Sequence, residues 1–354
     1  MRNKIGRKMK RVKYNLILAS IFLLTSFSCD TTEPPIDNIP PGRRDYVWTV
    51  DTLGKITPND YTELWGEDPN DLWIAGDSWD LDKNVMHFDG VVWTKVQTIP
   101  APVEAWSLYG IDRNNIWIGG VNADFWKFNG QTFELFNKYP IKGFLLVTII
   151  DIWGNVPNNI FACGGATKES NQELYTVLLK YNGTEWKYII EPNNKGSLLK
   201  IRGDNNGLYI FGDLEIPYES DLVSIYEYKN NKMELIHSNE NDPSDFPFLE
   251  RVGEKVFFGW EKKMYYKENN EVKLFKDFSN TIKAENSFYG RNTNDLFFEA
   301  DGGLGHYNGK DTKILYPIEK RFFIVKALFF SKDVIFLFYT YNDFAFYILR
   351  GKLK

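Results

Sequence analysis

One phrase returns three times in this chain and restricts its folding more than any other feature. Residues 64–76 read LWGEDPNDLWIAG, residues 108–120 read LYGIDRNNIWIGG and residues 152–165 read IWGNVPNNIFACGG. Gly66, Gly110 and Gly154 are spaced 44 residues apart. A period of about 40–50 residues marks arrays in which one unit cannot bury its apolar face alone and stacking neighbours completes the core. Each unit has the same order. An apolar run ends in aromatic-Gly, a turn with Asn or Asp follows, and a second apolar strand ends in Gly. A third strand ends at Asp-Gly or Asn-Gly (HFDG, KFNG, KYNG), and a fourth opens on an aromatic (VVWTKV, QTFELF, TEWKYI).

Composition agrees with a β fold. Aromatic residues make up 16% of the chain, and aromatic side chains suit pleated, half-buried surfaces. Asp89-Gly90, Asn129-Gly130, Asn182-Gly183 and Asn308-Gly309 fit two-residue hairpins with positive φ at both central positions. Weaker copies continue to residue 354, and the last unit, from Lys326, has only three strands. Residues 45–52, DYVWTVDT, form an orphan strand ahead of the first unit, able to supply the missing one and remove an open edge. The expectation is an all-β, seven-bladed β-propeller closed by its N-terminal strand. Six blades is the competing count, because the fifth unit is degenerate.

The units WGEDPNDLWIAG and HFDGVVWTKV resemble a repeat of secreted bacterial β-propellers, W-G-x-x-P-x-D-[VIL]-W-A-V-G followed by H-[WY]-[DN]-G-x-x-W. Trp65, Gly66, Pro69, Asp71, Trp73, Gly76, His87, Asp89, Gly90 and Trp93 carry the resemblance. It implies that these residues specify fold rather than catalysis.

The first 28 residues obey other rules. Seven Lys and Arg without an acid precede the short apolar run LILASIFLLTSFS, the pattern of an export signal. Met9 is a second plausible start. Ser26-Phe27-Ser28-Cys29 resembles a bacterial lipobox, which implies cleavage before Cys29 and acylation of its thiol. The expected organisation is therefore a signal peptide over 1–28, a lipidated Cys29 and Pro-rich tether over 29–45, and the propeller over 46–354. Anchoring at the outer membrane or cell surface is expected ahead of the inner membrane. Residues 1–28 hold seven of the 42 basic residues and none of the 47 acidic ones, so the remainder carries −12. Such an acidic chain is a poor nucleic-acid binder.

Candidate chemistry is sparse. Cys163, in IFACGG, reads as a buried structural thiol. His87 and His306 share one repeat position that Lys127 and Lys180 fill elsewhere, so they read as structural. No cofactor or zinc pattern emerges. Asp80-Leu-Asp82-Lys-Asn84 matches only the opening of a calcium loop and reads as a solvated acidic loop. Long acidic loops with aromatics between second and third strands (GDSWDLDKN, GATKESNQELYT, GDLEIPYESDL) are expected to share one face. Trp79, Asp80, Asp82, Glu215, Tyr218 and Asp221 on them are the expected binding residues for an envelope protein or glycan. The reading is a monomeric, non-catalytic binding module. The alternative is a carbohydrate-active enzyme with paired carboxylates at the channel mouth.

Overall fold

A computed structural model of the chain describes residues 40–53, 59–78, 84–170, 173–214, 223–239, 247–281 and 284–354. Residues 41–354 form seven antiparallel sheets in a ring, so the chain is a seven-bladed β-propeller and the six-blade count is excluded. Blade 1 is Asn59–Asp68, Asp71–Ser78, Val85–Phe88 and Trp93–Lys95. Blade 2 is Ser107–Gly110, Ile116–Gly119, Asp124–Phe128 and Phe133–Lys138, with Thr98–Ile99 added in parallel at its outer edge. Blade 3 is Phe144–Val156, Asn159–Lys168, Leu174–Tyr181 and Trp186–Ile190. Blade 4 is Gly196–Gly203, Leu208–Leu214, Ser224–Lys229 and Lys232–Ser238. Blade 5 is Phe248–Val252, Lys255–Trp260, Lys263–Glu268 and Glu271–Asp277. Blade 6 is Ala284–Asn292, Asp295–Ala300, Gly303–Tyr307 and Thr312–Pro317. Blade 7 is Phe322–Phe329, Asp333–Thr340 and Ala345–Leu353, completed by Tyr46–Thr52 from the other end of the chain.

The first strand of each blade is innermost, and each touches the first strands of its two neighbours around the axis. Antiparallel order then sorts the connections. Turns joining first to second and third to fourth strands lie on one face, here the turn face. Loops joining second to third strands, and the links between blades, lie on the other.

The closing strand pairs antiparallel with Ala345–Leu353 from Tyr46↔Leu353 to Thr52↔Tyr347. Arg44 fastens the approach to it. Its guanidinium donates to His306 Nδ1 at 3.0 Å and to the Asp311 carbonyl at 2.7 Å, on the turn face of blade 6.

The aromatic-Gly pair works between blades. A Cβ on Gly110 would lie 2.4 Å from the Trp65 ring of blade 1, and a Cβ on Gly203 would lie 2.3 Å from the Trp153 ring of blade 3. Each glycine leaves a slot that the preceding blade's tryptophan fills. On the outer strands the aromatics close the widening gaps, as expected. Trp186 of blade 3 is buried and stacks on Phe125 of blade 2 with centroids 4.1 Å apart.

The Asp-Gly and Asn-Gly turns differ from expectation. Only their glycines have positive φ, from 89° at Gly309 to 100° at Gly130 and Gly183. The preceding residue serves as an acceptor instead: Asp89 Oδ1 takes the N–H groups of Val91 and Val92, both at 2.9 Å. The side chain thus makes the turn's hydrogen bonds without adopting left-handed backbone. Positive φ at both central positions occurs at Asn230-Asn231, Glu261-Lys262 and Asn269-Asn270 in the weak repeats of blades 4 and 5.

Gly110→Ala should cost about 1–3 kcal/mol by overpacking against Trp65. In a Trp65→Leu background the cost should shrink, measured by denaturant unfolding. Additive penalties would show that the two residues do not share one slot.

Candidate functional site

The axis is lined by one repeat position. The residue three before the strand-ending glycine is Glu63, Ser107, Asp151, Lys200 and Ser287 in blades 1 to 4 and 6, and blade 7 places Lys326 there, three before Phe329; in blade 5, Glu250 enters from a different register, pairing with Phe257 as Trp65 pairs with Trp73. Every one is polar. In blades 1, 3, 4 and 7 the register of the innermost strand slips immediately before this residue, between Tyr61/Glu63, Ile149/Asp151, Leu198/Lys200 and Ile324/Lys326. A bulge adds one residue and re-aims the next side chain. It lets the charged group leave the interblade core and join an axial network.

That network is buried and balanced in charge. Lys326 Nζ is 2.9 Å from Glu63 and 4.0 Å from Asp151. Arg202 bonds Asp151 at 2.6 Å and reaches Glu250 at 3.4 Å, while Lys200 bonds Glu250 at 2.5 Å. Asp151 also accepts the Ile201 N–H at 2.8 Å. The carboxylates do not share one environment. Burial, reinforced by Asp151, pushes Glu63 up to about 7, although Lys326 opposes the rise. Glu250 is buried too, but Lys200, Arg202 and Lys326 outweigh the burial and hold it at about 2. Lys326 is raised despite its burial, because it faces Glu63, Asp151 and Glu250. Of Glu63 and Glu250, Glu63 therefore keeps its proton to the higher pH.

A glycosidase pair needs an acid and a base open to substrate. Here the three axial carboxylates are 4–8% exposed and each is committed to a cation. Their geometry serves cohesion between blades.

Accessible concavities among the described residues lie on the turn face. A groove of about 600 Å³ separates blades 1 and 2. Trp73, His87 and Phe128 form its floor, and Arg113 and Thr132 stand on its wall. Asp71 organises the floor: its Oδ1 accepts from Trp73 Nε1 at 3.1 Å and meets His87 Nε2 at 2.7 Å, and its Oδ2 accepts from Arg113 at 3.0 Å. A second groove of about 490 Å³ adjoins it across the Asn129-Gly130 turn, with Lys127, Leu135 and the 37%-exposed Phe136 along it. Lys127 sits over the Trp117 ring at 5.1 Å. Together they make an elongated track of alternating charge, amide and apolar surface.

The shared histidine position is structural in blade 6. His306 is fully buried, and its Nε2 is 2.8 Å from Asp295. Arg44 Nε can only donate, so His306 Nδ1 accepts and the Nε2 proton goes to Asp295. Burial lowers the imidazole's pKa in keeping with this neutral form. In blade 1 the equivalent His87 lines the groove.

The residues expected to bind a partner, Trp79, Asp80, Asp82, Glu215, Tyr218 and Asp221, lie outside the described residues, as does Cys29. Asn84, third in the calcium-like pattern, is buried with its amide donating to the Val103 carbonyl at 2.5 Å. Among the described residues no group of three or more His, Cys, Asp or Glu side chains converges as a metal site. Cys163 is fully buried, and burial pushes its thiol pKa well up. Sequence reasoning missed both the axial ring and the track. The ring had a signal, the polar residue three before each glycine. The track had none, because two blades meet to form it.

Fold and surface together define a β-propeller with a charge-locked axis and an open track on one face. No protein-family model and no curated protein matches the chain. Solved structures do. One described as YCF48 bound to D1 peptide aligns at TM-score 0.53 and 14% identity, over 91% of this chain and 99% of that one. YCF48 from Cyanidioschyzon merolae aligns at 0.47 and 14% identity, over 86% and 98%. A protein of unknown function from Dyadobacter fermentans DSM 18053 aligns at 0.47 and 11% identity, over 89% and 100%. The first supports the propeller fold.

A carboxyl whose pKa rises on folding stabilises the fold while it holds its proton, and that contribution fades as pH climbs from the unfolded to the folded value. Glu63 should thus withdraw about 3 kcal/mol between pH 4.5 and 7. Glu250 acts in the other direction and below that window, losing its contribution as pH falls toward 2. In thermal melts across pH 4.5–7.5, Glu63→Gln should flatten the decline of the parent protein. Parallel profiles for the two would contradict the assignment.

Proposed function

We propose that this protein is a non-catalytic binding module that holds an extended polypeptide segment of an envelope partner, anchored through a lipidated Cys29. The carrying observation is the track across blades 1 and 2. It is long rather than deep, and it alternates Arg113, Phe128, Lys127 and Phe136 along its length. A small ligand asks for enclosure. An extended chain asks instead for a succession of dissimilar contacts, each matching one residue. The described D1-peptide complex of a similarly folded protein supports a polypeptide occupant. The basic leader and the Ser26-Phe27-Ser28-Cys29 sequence support export and acylation.

An array of extended peptides probed with labelled protein tests the reading. Saturable hits should weaken about tenfold or more in Phe136→Ala and in Arg113→Ala, since interface aromatics and arginines carry most binding energy. Loss in a Trp79→Ala/Tyr218→Ala double variant, with both track variants unaffected, would move the site to the segments that carry those two residues. An array without a saturable hit would overturn peptide binding altogether. For the anchor, Cys29→Ser should shift the protein from the membrane pellet to the soluble fraction. Retention of that variant in the pellet would count against acylation.

A further inference from the structure

We propose a second, independent site, for a neutral sugar or polyol, in the cavity between blades 4 and 5 on the turn face. The cavity has a volume of about 350 Å³ and repeats, three blade interfaces farther along the chain, the position of the first groove. Its floor is Tyr209 and Glu227, both buried, and its rim is the exposed pairs Asn205-Asn206 and Asn269-Asn270.

Comparing repeats shows what this site lacks. Tyr209 faces Glu227 across strands as Trp73 faces His87 in blade 1. In blade 1, Asp71 lies two residues before the aromatic and accepts its Nε1–H. The equivalent residues elsewhere are Asn115, Asn159, Lys255, Asp295 and Asp333; blade 4 alone has glycine, Gly207. No side chain there can serve Tyr209, and its buried hydroxyl has no hydrogen-bond partner. A buried hydroxyl left unsatisfied costs about 1–3 kcal/mol. A Cβ on Gly207 would stand 3.0 Å from Glu227 Oε1 and 3.4 Å from the Tyr209 hydroxyl, so both atoms converge on the space that the glycine leaves.

The lining identifies the ligand. Lys267 pairs with Glu227, so the floor is already neutral and offers neither sign of charge an advantage. Two carboxylates (Glu227 and Glu268, the latter paired with Lys255 and Lys273), one ammonium, one phenol and four carboxamides supply acceptors and donors side by side. Only the Tyr209 ring is apolar. The group that donates and accepts at one atom is a hydroxyl, and several adjacent hydroxyls match several mixed partners. The geometry selects a free sugar over a peptide side chain or a charged metabolite.

Saturation-transfer NMR and thermal shifts with glucose, galactose, mannose and N-acetylglucosamine, on the whole protein, test this. At least one should bind saturably. Tyr209→Phe should weaken it about five- to tenfold, the worth of one hydrogen bond of about 1 kcal/mol or slightly more. The same variant should melt at or above the parent temperature, because it deletes an unsatisfied hydroxyl. Gly207→Ser, which fills the space, should abolish the sugar signal, while peptide binding at the track persists. No saturable sugar, or undiminished binding in both variants, would overturn the proposal. Because the variants lie outside the track, loss of peptide binding there would be a separate failure.

Discussion

The geometry of the molecule depends on the neutralisation of charges around its axis. Seven innermost strands converge there, and an apolar position on each would crowd them together. The chain places a polar residue at that point in every blade and balances Glu63, Asp151 and Glu250 against Lys200, Arg202 and Lys326. Removing one member of a buried ion pair strands the other, at about 3–5 kcal/mol. The network links blades 1, 3, 4, 5 and 7, mostly between neighbours, and among the described residues its one contact between blades that are not neighbours in the ring is Lys326 of blade 7 with Asp151 of blade 3, at 4.0 Å. Apolar packing between adjacent blades cannot do that. A set of hydrophobic contacts would hold each pair of blades; the Lys326–Asp151 contact also sets blade 7 against blade 3 across the axis.

Between adjacent blades the work passes to aromatics. Trp65 and Trp153 enter slots made by Gly110 and Gly203, and farther out Trp186 stacks on Phe125. Large rings bury more area than any other side chain and keep a defined geometry. Where the repeat weakens in blades 4 and 5, the turn chemistry changes too, from an Asx acceptor followed by glycine to Asn pairs in left-handed backbone. Departures from the repeat and departures in surface shape coincide: Gly207 replaces a polar side chain and a cavity takes its place.

The fold was legible in the sequence because a repeated pattern is read many times over. Gly66, Gly110 and Gly154 set the period, and Trp48 marked the strand that closes blade 7. The axial ring was periodic in most blades but was hidden, since one polar residue among several in a strand resembles noise until the repeats are aligned on their glycines. The hairpins were placed correctly and their mechanism was not, because Asp-Gly satisfies two different turn geometries. The grooves were not legible at all. Their floors combine residues such as Trp73 and Thr132 from separate units, and single-unit patterns carry no information about the space between units.

The closing strand has a kinetic consequence. Tyr46 and Leu353 pair although about 300 residues lie between them, and joining ends so distant costs about 5 kcal/mol of chain entropy. Six blades are hairpin-local and can form from neighbouring segments. The seventh needs both ends, so the ring shuts last and the Ala345–Leu353 edge stays unpaired until it does. In that interval, the vacant edge accepts the matching strand of another copy as readily as its own. The advantage of its own strand is only the local concentration that attachment supplies. At low protein concentration that advantage yields closed monomers, while crowding of incompletely closed chains favours exchange of the first strand between copies.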